Sequence, residues 1–129
     1  INVTVKLADN LPQIGGDPDR LQQVFINLFN NALDALPEGG NLKISTSTVS
    51  TKVKLEFADN GAGMSEATKS NIFQPLFTTK GRGRGTGLGL AVSHYIVSEN
   101  HHGTLNAENP PAGGACFTMK LPKNLSATV

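Results

Sequence analysis

Polar and apolar residues alternate from Asn2 to Ala8, the pattern of a half-buried strand. Asp17-Pro18 then reads as a helix start, with Asp at the cap and Pro in the first turn. The spacing of Leu21, Val24, Phe25, Leu28, Phe29, Ala32 and Leu36 predicts one helix as far as Leu36. Pro37-Glu38-Gly39-Gly40 stops it. Alternation returns over Asn41–Thr48 and Lys52–Ala58, which predicts two neighbouring antiparallel strands. Ser65-Glu66-Ala67-Thr68-Lys69 opens a short helix, and the glycines and prolines of residues 75–87 predict a loop. A second helix is expected over Leu88–Asn100, and two more strands near residues 104–108 and 115–121. The pattern predicts an α+β fold, a two-layer sandwich in which helices cover one face of a mainly antiparallel sheet.

Composition narrows the class. A length of 129 residues suits a single domain, 1–129, and 34 Leu, Ile, Val and Phe residues suffice for a core. Uninterrupted apolar runs stop at three residues, too short for a transmembrane helix or a signal-peptide core. The start at Ile1, without Met, suggests a fragment of a longer chain. A lone Cys116 cannot form an internal disulfide and, with three His, falls short of a zinc set. Its apolar neighbours predict a buried small residue. The net charge of +1 does not advertise nucleic acid, but the distribution is uneven. Residues 67–98 hold no acid, while Lys69, Lys80, Arg82 and Arg84 lie beside a glycine run. That local excess reads as an anion site.

Three motifs carry candidate chemistry. At 100° per residue, Arg20, Gln23, Asn27, Asn30, Asn31 and Asp34 fall on one arc of the first helix. Three Asn on a helix face cost propensity. They form either a satisfied structural stripe or a pair, Asn27 and Asn31, whose amide oxygens face a ligand or Mg²⁺. In Lys52–Asp59, Asp59 shares the parity of Val53, Leu55 and Phe57, so its carboxylate points where the core side chains point and needs a partner. Asp59-Asn60-Gly61 is either a hairpin turn or, with Gly63, an inward acid beside glycines that let a flat ligand approach. The amino group of adenine would suit that acid. Gly81-Arg-Gly-Arg-Gly-Thr-Gly-Leu-Gly89 has its glycines at odd positions only, which excludes the dinucleotide fingerprint, and there is no Gly-Lys for a Walker A loop. The run leads into a helix whose N-terminus suits phosphate. Taken alone, the run reads rather as a flexible basic linker.

In this order the motifs resemble the ATP-binding catalytic domain of sensor histidine kinases, a branch of the Bergerat-fold ATPases. The N box corresponds to Asp17–Ala32, the first glycine box to Asp59–Met64, the F box to Ile72–Lys80 and the second glycine box to Gly85–Val92. Gly113-Gly-Ala-Cys-Phe-Thr-Met-Lys-Leu-Pro122 is similar to the family's last strand. Phe77-Thr78-Thr79-Lys80 and the short lid look most like the nitrogen-regulation type. The resemblance implies ATP and Mg²⁺ as ligands, with Asn31 on the metal and Asn27 assisting at the phosphates. It implies that Asp59 binds the adenine amino group, with Gly61 and Gly63 lining the base and Met64 among the nucleotide-binding residues. It further implies a nucleotide-binding role for Phe77, Thr78, Lys80, Gly85, Thr86, Gly87, Leu88, Gly89 and Thr118, with Lys80 also catalytic. Asn100-His101-His102-Gly103 departs from the His-Gly-Gly common in relatives.

The resemblance also implies the reaction. Hydrolysing relatives carry a Glu where this chain has Asn27, and an amide is no general base at neutral pH. That favours phosphoryl transfer, by positioning and charge neutralisation, over rapid hydrolysis. His94, His101 and His102 are not followed by an acid, so the acceptor is expected on an upstream dimerisation and phosphotransfer hairpin of the same protein. A response regulator would be the next partner, with no nucleic acid involved. The parent would be a homodimer, the fragment a monomer, and the location cytoplasmic, even if the parent is membrane-anchored. The alternatives are a hydrolysing ATPase of the wider fold, an anti-sigma-factor-like serine kinase, a non-catalytic nucleotide sensor and a basic RNA-binding loop.

Overall fold

The computed structural model describes residues 1–9, 11–12, 14–36, 40–74, 89–111 and 113–123. Five strands form one sheet: β1 (Asn2–Lys6), β2 (Asn41–Val49), β3 (Lys52–Asp59), β4 (Thr104–Glu108) and β5 (Cys116–Pro122), in the order β1-β2-β3-β5-β4. β1 runs parallel to β2, and every other pairing is antiparallel. Register places Ile44, Phe57 and Phe117 side by side, and these residues point to the helix side. Helices α1 (Pro18–Ala35), α2 (Glu66–Asn71) and α3 (Gly89–Tyr95) accompany the sheet, and α3 continues as a wider π-helical turn, Ile96–Asn100.

Helix α1 begins where its sequence dictates. The Asp17 carboxylate accepts from the Asp19 and Arg20 N–H groups, at 3.0 and 3.4 Å, and Pro18 occupies the first turn without wasting a donor. Val24, Leu28 and Ala32, one turn apart, are buried against the sheet, and Phe25 meets Phe57 edge-on at 5.1 Å. The core runs from Leu42 and Ile44 on β2 to Leu105 and Ala107 on β4. It includes no residue of β1. The expectation of a half-buried first strand is therefore corrected. Val3 and Val5 share the face of Leu42 and Ile44, but at the sheet edge, outside the helix layer, they stay 45% and 53% exposed.

Cys116 is also corrected. It lies on the face opposite the core, half-buried, donating to Glu56 at 3.6 Å beside Thr118. Burial pushes its thiol pKa up, and the Thr118 contact works in the other direction. The expected helix over Leu88–Asn100 is regular only to Tyr95, because its last turn widens to reach His101. That ring is buried at 4% exposure, and its Nε2 accepts the Asp17 N–H at 2.9 Å. Nδ1 must then carry the proton and donate to the Ile96 carbonyl, also at 2.9 Å. One imidazole therefore ties the end of the π-helical turn to the start of α1. His101→Ala should cost about 3 kcal/mol, since it strands two backbone groups and leaves a void. Urea unfolding checks this, and a change within error would mean that the tie contributes nothing.

Candidate functional site

A cavity of about 430 Å³ opens between α1, α2 and the ends of β3 and β5. Asn31 and Ala35 line it from α1, Asp59 from β3, and Gly63 and Met64 from the segment that follows β3. Thr68 closes it from α2 and Ile72 from the cap that ends α2, with Ala115 just before β5 and Phe117 within it. Four residues singled out in sequence, Asn31, Asp59, Gly63 and Met64, thus share one cavity although 33 positions separate the first from the last.

Asp59 is 6% exposed, and its two oxygens differ. Oδ1 accepts the Gly61 N–H at 2.9 Å and the Ala115 N–H at 3.2 Å. Among the described residues Oδ2 receives no hydrogen bond and is left for a donor. The hairpin alternative for Asp59-Asn60-Gly61 is not what forms: the chain passes through Gly61 to the Ser65 cap of α2, and β3 pairs on its far side with β5. Backbone approach explains two glycines here. A Cβ at Gly61 would sit 2.4 Å from the Ala35 carbonyl oxygen. At Gly114, with φ +77°, a Cβ would lie 1.9 Å from the Asp59 carbonyl oxygen.

The two asparagines of α1 part company. Asn31 faces the cavity and, among the described residues, its side chain makes no hydrogen bond. Asn27 lies outside the cavity lining, and its Nδ2 donates to the Gly89 carbonyl and to Ser93 Oγ, both at 3.2 Å. Ser93 is fully buried and donates in turn to the Gly89 carbonyl at 2.8 Å. Asn27 is thereby committed to holding the first turn of α3 on α1. Because a carbonyl can only accept, the orientation of the Asn27 amide is fixed, with Nδ2 as the atom bonded to Gly89.

Thr118 does not join this site. Phe117 points to the helix side, so its neighbour in the strand points to the other, beside Cys116 and opposite Glu56 and Asn106. The residues that β5 contributes are Ala115, through its N–H to Asp59, and Phe117. Strand parity alone carried that signal. Phe77, Thr78, Lys80, Gly85, Thr86, Gly87 and Leu88, with the basic pair Arg82 and Arg84, lie outside the described residues, as does the Pro37-Glu38-Gly39 stop. Sequence reasoning passed over Ser93 and Asn109, two small polar residues outside every motif it weighed.

Residues 16–125 match the family described as histidine kinase-, DNA gyrase B- and HSP90-like ATPase. The chain is 43% identical over 118 residues to sensor histidine kinase ZraS of Escherichia coli K12, covering 92% of this chain and 25% of that protein. It thus spans about a quarter of the length of the curated relatives it matches first. The nucleotide-free catalytic domain of histidine kinase ThkA superposes with a TM-score of 0.86 at 34% identity, over 97% of this chain and 80% of that one. A structure of ThkA in complex with response regulator protein TrrA gives a TM-score of 0.80 at 31% identity, over 96% of this chain and 34% of that one.

Proposed function

The chain belongs to the histidine kinase-, DNA gyrase B- and HSP90-like ATPases, and from that membership we propose that it is the ATP-binding domain of a sensor histidine kinase. The observation that carries the reading is Asp59. Two backbone N–H groups fix one carboxylate oxygen, and the other is left in a cavity wide enough for a purine. An amino group that donates to Oδ2, as on adenine, completes the carboxylate at little desolvation cost. Gly63, Met64 and Ala115 line the same cavity.

The donor set also fits a hard cation at the phosphate end. Asn31 offers an amide oxygen that nothing among the described residues uses, an acceptable ligand for Mg²⁺. The metal, when bound, supplies charge neutralisation to the triphosphate. Lys80 and the glycines 85, 87 and 89 would hold the rest of the nucleotide, as their place in the sequence motifs suggests.

Transfer rather than hydrolysis follows from Asn27. Its amide cannot take a proton from water near neutral pH, and its nitrogen is occupied by Gly89 and Ser93. The chain's residues bind and orient the nucleotide. The acceptor is then a histidine on a helical hairpin of the parent protein, a homodimer in the cytoplasm, and a response regulator takes the phosphoryl group next. The solved complex of a similar kinase with a response regulator supports a response regulator as a partner. Phe77-Thr-Thr-Lys80 supports the nitrogen-regulation type. The test mixes γ-labelled ATP, Mg²⁺ and this chain with and without the parent's hairpin. Acid-labile label on the hairpin is the expected result. Steady ADP release by the chain alone would revive the hydrolase reading.

A further inference from the structure

We propose that Asn109 is a positioning residue for the base end of this site, an inference that rests on the nucleotide reading above. Asn109 follows β4 in the turn towards β5. Its Oδ1 accepts the Met64 N–H at 2.8 Å, and its Nδ2 donates to the Met64 carbonyl at 2.6 Å. One side-chain amide thus satisfies both backbone groups of a residue 45 positions away, as a neighbouring strand would.

The place it grips matters. Met64 is the last residue before the Ser65 cap of α2, and its partner end, Gly61, is held by Asp59 Oδ1. The same oxygen accepts from Ala115, whose carbonyl takes the Asp59 N–H at 2.9 Å. The bonds close a ring: Asp59 to Gly61, along the chain to Met64, across to Asn109, through the β4–β5 turn to Ala115 and back to Asp59. Asp59, Ala62, Gly63, Met64 and Ala115 are its cavity-facing members. Asn109 lines no part of the cavity and closes the ring from outside. Without it, Met64 keeps its packing against the core but loses the side-chain partner of both its backbone groups, and a ligand must pay more to order residues 61–64 on binding.

The expected effect is a loss of adenosine affinity of about tenfold, which is the worth of two neutral hydrogen bonds. Calorimetry with adenosine and with ATP should give the same factor for Asn109→Ala. Amide exchange should quicken by at least about tenfold at Met64 while Val24, Leu28 and Phe57 keep their protection. Asn109→Asp keeps the volume and the acceptor for the Met64 N–H but sets an oxygen against the Met64 carbonyl. It should weaken adenosine in the same direction, and it carries the comparison if the alanine variant does not fold. Unchanged adenosine affinity in a folded variant overturns the inference, as does faster exchange spread evenly over the core. A wild-type chain that binds neither adenosine nor ATP overturns the nucleotide reading and this inference with it. Wild-type binding with unchanged variants overturns this inference alone.

Discussion

Asp59→Asn should reduce ATP affinity by about 100- to 1,000-fold without unfolding the chain. The size follows from how the carboxylate is held. Oδ1 accepts from the N–H groups of Gly61 and Ala115, so an asparagine here must place its own oxygen at that position. Its NH₂ then stands where Oδ2 was and faces a donor on adenine. A charge-assisted bond, at about 1.5–3 kcal/mol, becomes a donor set against a donor, and the buried partner is left unpaired. The fold keeps both backbone bonds, so thermal melts should move little. Guanine presents an acceptor where adenine presents its amino group, so the variant should lose its preference for ATP over GTP. Calorimetric titration of both nucleotides decides the matter. Unchanged ATP affinity would remove adenine from this cavity.

Most of the fold was legible in the chain because local signals and tertiary packing agree. The Asp17-Pro18 cap, the apolar stripe through Val24, Leu28 and Ala32, and the alternation in β2 and β3 each specify one arrangement, and the core accepts it. The failures have physical causes. Alternation in Asn2–Lys6 sets which face each residue takes but not whether a helix lies over it, and at the sheet edge none of the core does. The π-helical turn at Ile96–Asn100 is fixed by a contact with Asp17, 84 positions from His101, which no local window contains. Thr118 was the reverse case. Phe117 and Met119 had to be buried, so parity already placed Thr118 on the far face, and the resemblance obscured it.

The site was legible where one residue carries both the chemistry and the pattern. Asp59 shows its orientation by strand parity, and the structure adds which oxygen is spent. Helical periodicity could place Asn27 and Asn31 on one arc but could not say which amide is already occupied, because Gly89 and Ser93 come from another helix. Asn109 was invisible for a related reason: its partners are the backbone groups of Met64, and a backbone group leaves no mark in the sequence.

Occupancy of the two amides sets the last expectation. Asn31→Ala should weaken ATP binding in the presence of Mg²⁺ by at least about tenfold, and phosphoryl transfer with it, while metal-free binding falls less. Mg²⁺ holds its waters and takes few protein ligands, so a lost amide oxygen has no substitute nearby. Stability should hold or rise, since the Asn31 side chain makes no hydrogen bond among the described residues and Ala is the better helix former by up to about 0.7 kcal/mol. Asn27→Ala should behave oppositely. It removes the amide that donates to Ser93 Oγ and to the Gly89 carbonyl, and with it a tie between α3 and α1, while Ser93 keeps its own bond to Gly89, so the chain should lose about 1–2 kcal/mol of stability before any nucleotide is added. Thermal melts of the two variants, paired with ATP titrations with and without Mg²⁺, separate the roles. An Asn31→Ala chain that melts early yet binds Mg²⁺-ATP normally would make both asparagines structural, and the metal would have to be held elsewhere.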